Sequence, residues 1–301
     1  MSLVEQAIAK LREAAGVDER ATSGPARSAI KAAVLQERLE DTARNTRIIE
    51  VDLALMRDSG YLPEAGIERQ FAEHYRQIKR PLVERALKAS IPATVGDPRQ
   101  DPRVIMITSA LPGEGKSFTS VNLALSLARE RDISVLLVDA DILKPRTSEI
   151  FGVKQELGLM DALRDDEMNI ESLVLGTNIR GLAILPAGHF IEGAAELLLS
   201  DRMRRLLSSL LGANPRRLVV LDSPPLLPTS EGRALTKVAG QVVLVVRSGQ
   251  TPVHALKDAI GLLDSGSFGG VIVNEAHMSL TESFYGYGAY GYTKDEQTRS
   301  G

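Results

Sequence analysis

The 301-residue chain contains no cysteine. That excludes disulfides, thiolate nucleophiles and cysteine-based metal sites, and it fits a reducing compartment. Histidine is scarce as well. His74, His189, His254 and His277 show no metal-ligand spacing and read as scattered surface or satisfied core residues. No stretch approaches the ~18 uninterrupted apolar residues of a membrane-spanning helix; the longest apolar runs are strand-sized and bracketed by charge. Met1 to Gln6 lack the basic start and apolar stretch of a secretory signal. The expectation is a cytoplasmic protein recruited to the inner face of the membrane through a partner. An excess of one charge is missing too. With 36 basic against 39 acidic residues and a net charge of -3, nothing global draws the chain to nucleic acid or anionic lipid.

What is present is ordinary globular material. A composition of 44% apolar and 25% charged residues argues against disorder or a fibrous chain, and the length allows one large domain or one domain with an added module. Residues 3–15 place Leu3, Ala7, Ile8, Leu11, Ala14 and Ala15 at helical spacing, ended by Gly16. Ser23-Gly24-Pro25 reads as a linker, and residues 27–58 as helix or a loosely packed arm. A second helical pattern covers residues 67–90, with Phe71, Tyr75, Ile78, Leu82 and Leu87 near one face and Pro81 expected to kink or interrupt it. The prolines between Ile91 and Pro102 mark a connector.

From residue 103 short apolar strands alternate with helical stretches, the pattern of an α/β fold. The expected strands are Val104–Thr108, Ser134–Asp139, Leu182–Leu185, Leu218–Asp222, Val242–Val246 and Gly270–Asn274. Most are continuous apolar runs, which predicts a mostly parallel sheet covered by helices on both faces. After residue 279 the sequence is rich in glycine, tyrosine and charge without periodicity, and is expected to be flexible.

Between the first of these strands and a helical run from Phe118 lies Ser109-Ala-Leu-Pro-Gly-Glu-Gly-Lys-Ser117, a P-loop. Small residues let backbone N–H groups turn onto phosphates, Lys116 reaches the β- and γ-phosphates, and the Ser117 hydroxyl suits Mg²⁺ at the helix N-terminus. Ala110 holds the position usually occupied by the first glycine, while Gly113 and Gly115 still free the turn. Two aspartates end strands, Asp139 (followed by Asp141) and Asp222. In an open parallel sheet those ends converge on the P-loop crevice. The candidate nucleotide-binding set is Gly113, Glu114, Gly115, Lys116, Ser117 and Phe118, with Asn274 at the end of the last strand. Candidate metal ligands are Ser117, Asp139 and Asp222; the candidate catalytic residues are Lys116 and, as the family resemblance given next implies, Asp139 and Asp141.

Together, Ser-Ala-Leu-Pro-Gly-Glu-Gly-Lys-Ser, Leu-Leu-Val-Asp-Ala-Asp and Leu-Val-Val-Leu-Asp-Ser-Pro-Pro resemble the three nucleotide motifs of the bacterial tyrosine kinases. The likeness spans about residues 68 to 292. It is nearest to the stand-alone cytoplasmic type associated with exopolysaccharide synthesis and chain-length control, including those linked to exosortase systems. One departure is Leu143, where the family usually has arginine; Lys144 and Arg146 are nearby. The resemblance implies a P-loop kinase domain over 67–278, a helical and linker extension over 1–66, and a flexible tail over 279–301. It implies an ATP- and Mg²⁺-dependent autokinase acting in trans on Tyr285, Tyr287, Tyr290 and Tyr292, four of the chain's six tyrosines. Glu73, Arg76 and Lys79 follow a family pattern that joins subunits into a ring, and their spacing suggests one helical face. Implied partners are other copies of the chain, a cytoplasmic segment of a membrane chain-length determinant acting as activator, and a tyrosine phosphatase. The competing readings are a partition or septum-positioning ATPase and a nucleotide-regulated scaffold of a polysaccharide export machine. Against the first, Leu111 stands where such ATPases carry an extra lysine.

Overall fold

The computed structural model describes residues 47–88 and 101–276. The expected helix at 3–15, the Ser23–Pro25 linker, most of the 91–102 connector, His277 and the tail tyrosines Tyr285, Tyr287, Tyr290 and Tyr292 lie outside the described residues.

Eight strands form one sheet: β1 (Ile48–Ile49), β2 (Val104–Ser109), β3 (Ser134–Asp139), β4 (Leu175–Thr177), β5 (Leu182–Leu185), β6 (Arg217–Asp222), β7 (Gln241–Arg247) and β8 (Phe268–Asn274). Their order is β1-β4-β5-β3-β6-β2-β7-β8. From β5 to β8 all neighbours are parallel. Strand β4 runs against β5, and β1 is parallel to β4, so this edge pair points the other way. The six expected strands are all present. The two additional ones are too short to leave an alternating signature.

The sheet is filled on both faces because successive residues of its central strands point to opposite sides. One face buries Met106, Leu136, Val138, Val219 and Leu221 against Met203, Leu207 and Leu210 of helix Asp201–Ala213. The other buries Ile105, Ile107, Leu137 and Val220 against Leu123, Ala124 and Leu127. Those last three belong to α3 (Lys116–Leu127); α1 (Leu53–Asp58) and α2 (Glu68–Lys88) pack beside it.

Helix α2 runs unbroken through Pro81, contrary to the expected kink or interruption. Pro81 lies on the solvent side, and so does Gln77, whose carbonyl loses its partner to the proline; water can satisfy it, while Tyr75, Leu82 and Ala86 hold the opposite face in the core. Residues 47–58 are neither one helix nor a loose arm. Ile48–Ile49 pairs with Gly176–Thr177, and Asn178 Oδ1 accepts from the Val51 N–H at 3.0 Å. Asp52 caps α1 by accepting from the Ala54 and Leu55 N–H groups, and Met56 is buried in the core it shares with Tyr75.

Candidate active site

The chain passes from β2, at the centre of the sheet, through the P-loop into α3. Both loop glycines adopt positive φ, +82° at Gly113 and +92° at Gly115, where side chains are disfavoured. Gly115 is also crowded: a Cβ there would stand 2.0 Å from Asn274 Nδ2. Asn274 ends β8 and donates to the Glu114 carbonyl at 3.1 Å. The Glu114 side chain is buried, accepting from the Leu111 N–H at 2.8 Å and from the Thr251 hydroxyl. The loop is thereby braced from within and from the segment after β7.

The three aspartates are all buried and divide by their partners and by which of them borders the cleft. Asp139 and Asp222 are register partners at the ends of β3 and β6, and both are wholly buried. Asp139 accepts from the backbone N–H of Ser148 at 2.7 Å and of Asp141 at 3.2 Å. Asp222 accepts from the Ser120 hydroxyl at 3.0 Å and the Thr147 hydroxyl at 2.7 Å. Burial, reinforced by the Asp222 charge, pushes the Asp139 carboxyl well above the usual range, and the two N–H bonds only partly offset this. Burial likewise raises Asp222, opposed by the Lys116 charge and by hydroxyls of Thr147, Ser117 and Ser120. Asp141 instead forms a 3.1 Å ion pair with Lys116.

A cleft of about 590 Å³ opens over these groups. Its walls are Pro112, Gly113 and Gly115–Phe118 of the P-loop region, Asp141, Leu143, Lys144 and Arg146 after β3, Pro224, Pro225, Pro228 and Thr229 after β6, and Tyr61. Of the residues expected from sequence, Gly113, Gly115, Lys116, Ser117, Phe118 and Asp141 line it. Asp139 and Asp222 are packed away from its lining, Glu114 is turned into the loop's own brace, and Asn274 stands behind Gly115. Phe118 meets the edge of Phe71 at 5.6 Å.

Sequence reasoning missed Ser120, Thr147, Ser148, Thr251 and Tyr61. The one available signal was the hydroxyl pair Thr147-Ser148, which sits in a short helix beginning at Arg146. The ring-face expectation needs a correction at Lys79. Glu73 and Arg76 form a solvent-facing pair at 2.5 Å, but Lys79 is buried, donating to the Ser126 carbonyl at 2.8 Å and pairing with Glu130 at 2.6 Å. Six residues make 1.7 turns, which carries Lys79 off the face of Glu73; Arg80 is the exposed base there. Among the histidines, His189 Nδ1 lies 2.9 Å from buried Asp161. Despite its burial, Asp161 is held low by the Gly158 N–H and by His189.

Among the described residues no three acidic or imidazole side chains cluster as a ready-made metal cage. Two adjacent buried carboxylates with raised proton affinity, next to a serine hydroxyl, nonetheless suit a hard divalent cation that takes its remaining ligands from phosphate and water.

The AAA domain family matches residues 102–264. Tyrosine-protein kinase YwqD of Bacillus subtilis (strain 168) is 37% identical over 194 residues, covering 64% of this chain and 78% of that protein. Tyrosine-protein kinase etk of Escherichia coli (strain K12) is 34% identical over 167 residues, 55% of this chain but only 22% of that much longer protein. Among solved structures, the kinase domain of VpsO superposes with a TM-score of 0.53 at 31% identity, covering 69% of this chain and 99% of that one.

Proposed function

Since the chain belongs to the bacterial tyrosine-kinase family, within the AAA domain group, it is a protein-tyrosine kinase, and we propose that it transfers the γ-phosphate of ATP to Tyr285, Tyr287, Tyr290 and Tyr292 of a neighbouring copy. The observation that carries this reading is one cleft lined jointly by Lys116, Ser117 and Asp141 beside a left-handed glycine turn. Lys116 would exchange Asp141 for phosphate oxygens and stabilise charge as the phosphoryl group moves. That exchange leaves Asp141, the carboxylate on the cleft, to orient the tyrosine hydroxyl and receive its proton. A phenol of pKa near 10 is otherwise a poor nucleophile at neutral pH.

Mg²⁺ fits beside Ser117 and Asp222, with Asp139 as the neighbouring carboxylate, and supplies charge neutralisation when bound. Thr147 and Ser120 aim Asp222, and the Ser148 N–H aims Asp139. Assembly into a ring would use Glu73 and Arg76, with Arg80 rather than Lys79 as the further base. No helix among the described residues is long and apolar enough to cross a membrane. The proposed partners are a membrane component of exopolysaccharide export as activator and a phosphatase that resets the tail.

The test is incubation of the whole chain with ATP and Mg²⁺ followed by mapping of phosphate on the tail. Lys116→Met should lower the rate by about 10²–10³-fold, the scale of one preorganised contact to developing charge. A wild-type tail that stays unmodified with its activator present would overturn the assignment.

A further inference from the structure

Phosphate and metal chemistry account for much of the cleft wall, but not for Leu143. This side chain lines the cleft with Lys116 and Asp141 and is 52% exposed, so its apolar surface stands open beside charged groups. A single exposed leucine is ordinary on a protein surface. This one is held in place. The Asp141 carbonyl accepts from the Lys144 N–H at 3.1 Å, which closes residues 141–144 into a β-turn, and the Asp141 carboxylate accepts from the same N–H at 3.2 Å. Ile142, the other central residue of the turn, is buried in the core on one face of the sheet. Leu143 is therefore presented to the cleft by the same turn that carries Asp141.

The neighbouring wall is apolar as well. Strand β6 lies next to β3, and the segment after it lines the cleft with Pro224, Pro225 and Pro228. That segment is fastened to the end of β2. The Thr108 hydroxyl donates to the Pro224 carbonyl at 2.8 Å, and the Leu226 N–H donates to the Ser109 carbonyl at 2.8 Å. Proline side chains have almost no rotamer freedom to lose when a ligand packs on them. The carboxylate proposed to receive the acceptor's proton is thus flanked by aliphatic surface that is already in position. Such surface gives nothing to water or to a short aliphatic alcohol, and it suits a flat ring with an apolar body and a polar tip.

We infer that Leu143 is a specificity-determining contact for the acceptor: its side chain receives the ring of the incoming tyrosine while the hydroxyl of that ring meets Asp141; this rests on the kinase reading above. Docking the ring removes apolar surface of both partners from water. Serine and threonine carry their hydroxyl on Cβ and have no ring, so they leave Leu143 wet. The ring makes this contact before and during transfer alike. Its loss therefore belongs in KM rather than in kcat.

The test uses the full chain with its four tail tyrosines changed to alanine, given ATP, Mg²⁺ and a separate peptide of residues 285–295 as acceptor. Leu143→Ala, and Leu143→Asn of similar size but polar, should each raise the KM for this peptide about tenfold while kcat stays within about twofold; Leu143→Met should keep both. The same peptide with phenylalanine for tyrosine has a ring and no hydroxyl, and should inhibit the parent chain about tenfold more strongly than it inhibits Leu143→Ala. With serine for tyrosine it should be a poor acceptor that loses nothing further in Leu143→Ala. Melting temperatures of parent and variants should match, because the side chain is half exposed. An active parent whose KM and inhibition are unmoved by Leu143→Ala would overturn the inference and leave the kinase reading intact. A fall in kcat together with the melting temperature would also overturn it, by making Leu143 a packing residue of the turn. A parent chain that modifies no tyrosine would sink both readings.

Discussion

Asp139 and Asp222 stand side by side with no exposed surface, and that arrangement makes the fold sensitive to pH. Both carboxyls titrate above their unfolded values, near 3.9 for aspartate. Between the unfolded and folded values the native state holds a proton that the unfolded chain has released. Stability is therefore greater on the acid side of that window and declines as pH rises through it. Without nucleotide, the unfolding free energy from this pair should fall from about pH 4 toward neutrality, by about 1.4 kcal/mol per pH unit for each differing proton. Asp222→Asn should flatten the profile, because the Ser120 and Thr147 hydroxyls can turn to meet an amide and Asp139 loses its like-charged neighbour. Denaturant melts of both proteins across this range check it; parallel profiles would show that the pair does not set the slope. The residue scale was also where sequence was least sufficient. Asp139 and Asp141 are two apart, which in a continuing strand would place both on one face. The strand ends at Asp139, so although both are buried only Asp141 borders the cleft.

Among the elements, the P-loop was readable because each requirement has its own residue type: glycine for positive φ, lysine and serine for phosphate and metal. What could not be read was the support behind it. Thr251 and Asn274 are distant in sequence and reach Glu114 only because β7 lies next to β2 in the sheet and β8 next to β7. The six longer strands were legible from apolar runs, whereas β1 and β4 owe their pairing to each other and to the Asn178 bonds to Val51. Proline at position 81 misled because its effect depends on which side of the helix meets water. Gly115→Ala tests the support directly. The substitution meets both the +92° φ and the 2.0 Å approach of Asn274, and should cost about 1–3 kcal/mol along with most nucleotide affinity. Adding Asn274→Ala should return part of the stability, since the clash goes but the φ remains. Thermal melts and nucleotide titration of both variants decide it.

For the whole molecule, the proposed ring and tail make one expectation. Four phosphotyrosines add roughly -6 to -8 charges to a short segment, and their repulsion favours release. The unphosphorylated chain should sediment as a larger species than the phosphorylated one, and Arg76→Ala should resemble the latter. Lys79→Ala should differ, destabilising the single chain by removing its contacts to Ser126 and Glu130. An unchanged mass in all forms would remove the proposed contact.

The edge strand β1 also decides where this enzyme can be cut. A fragment beginning at residue 67, the domain start expected from sequence, would lose the Arg47 and Ile49 carbonyls that accept from Gly176 and Asn178, and the Tyr61 carbonyl that accepts from Asn122. It would bare the outer edge of β4, which invites pairing with other chains. Fragments 47–276 and 67–276 should therefore part in behaviour, the first monodisperse and the second prone to precipitate on mild heating, as light scattering would record. The transplantable unit of catalysis then begins upstream of α2, and a chimera joined at that helix would inherit an unfinished sheet.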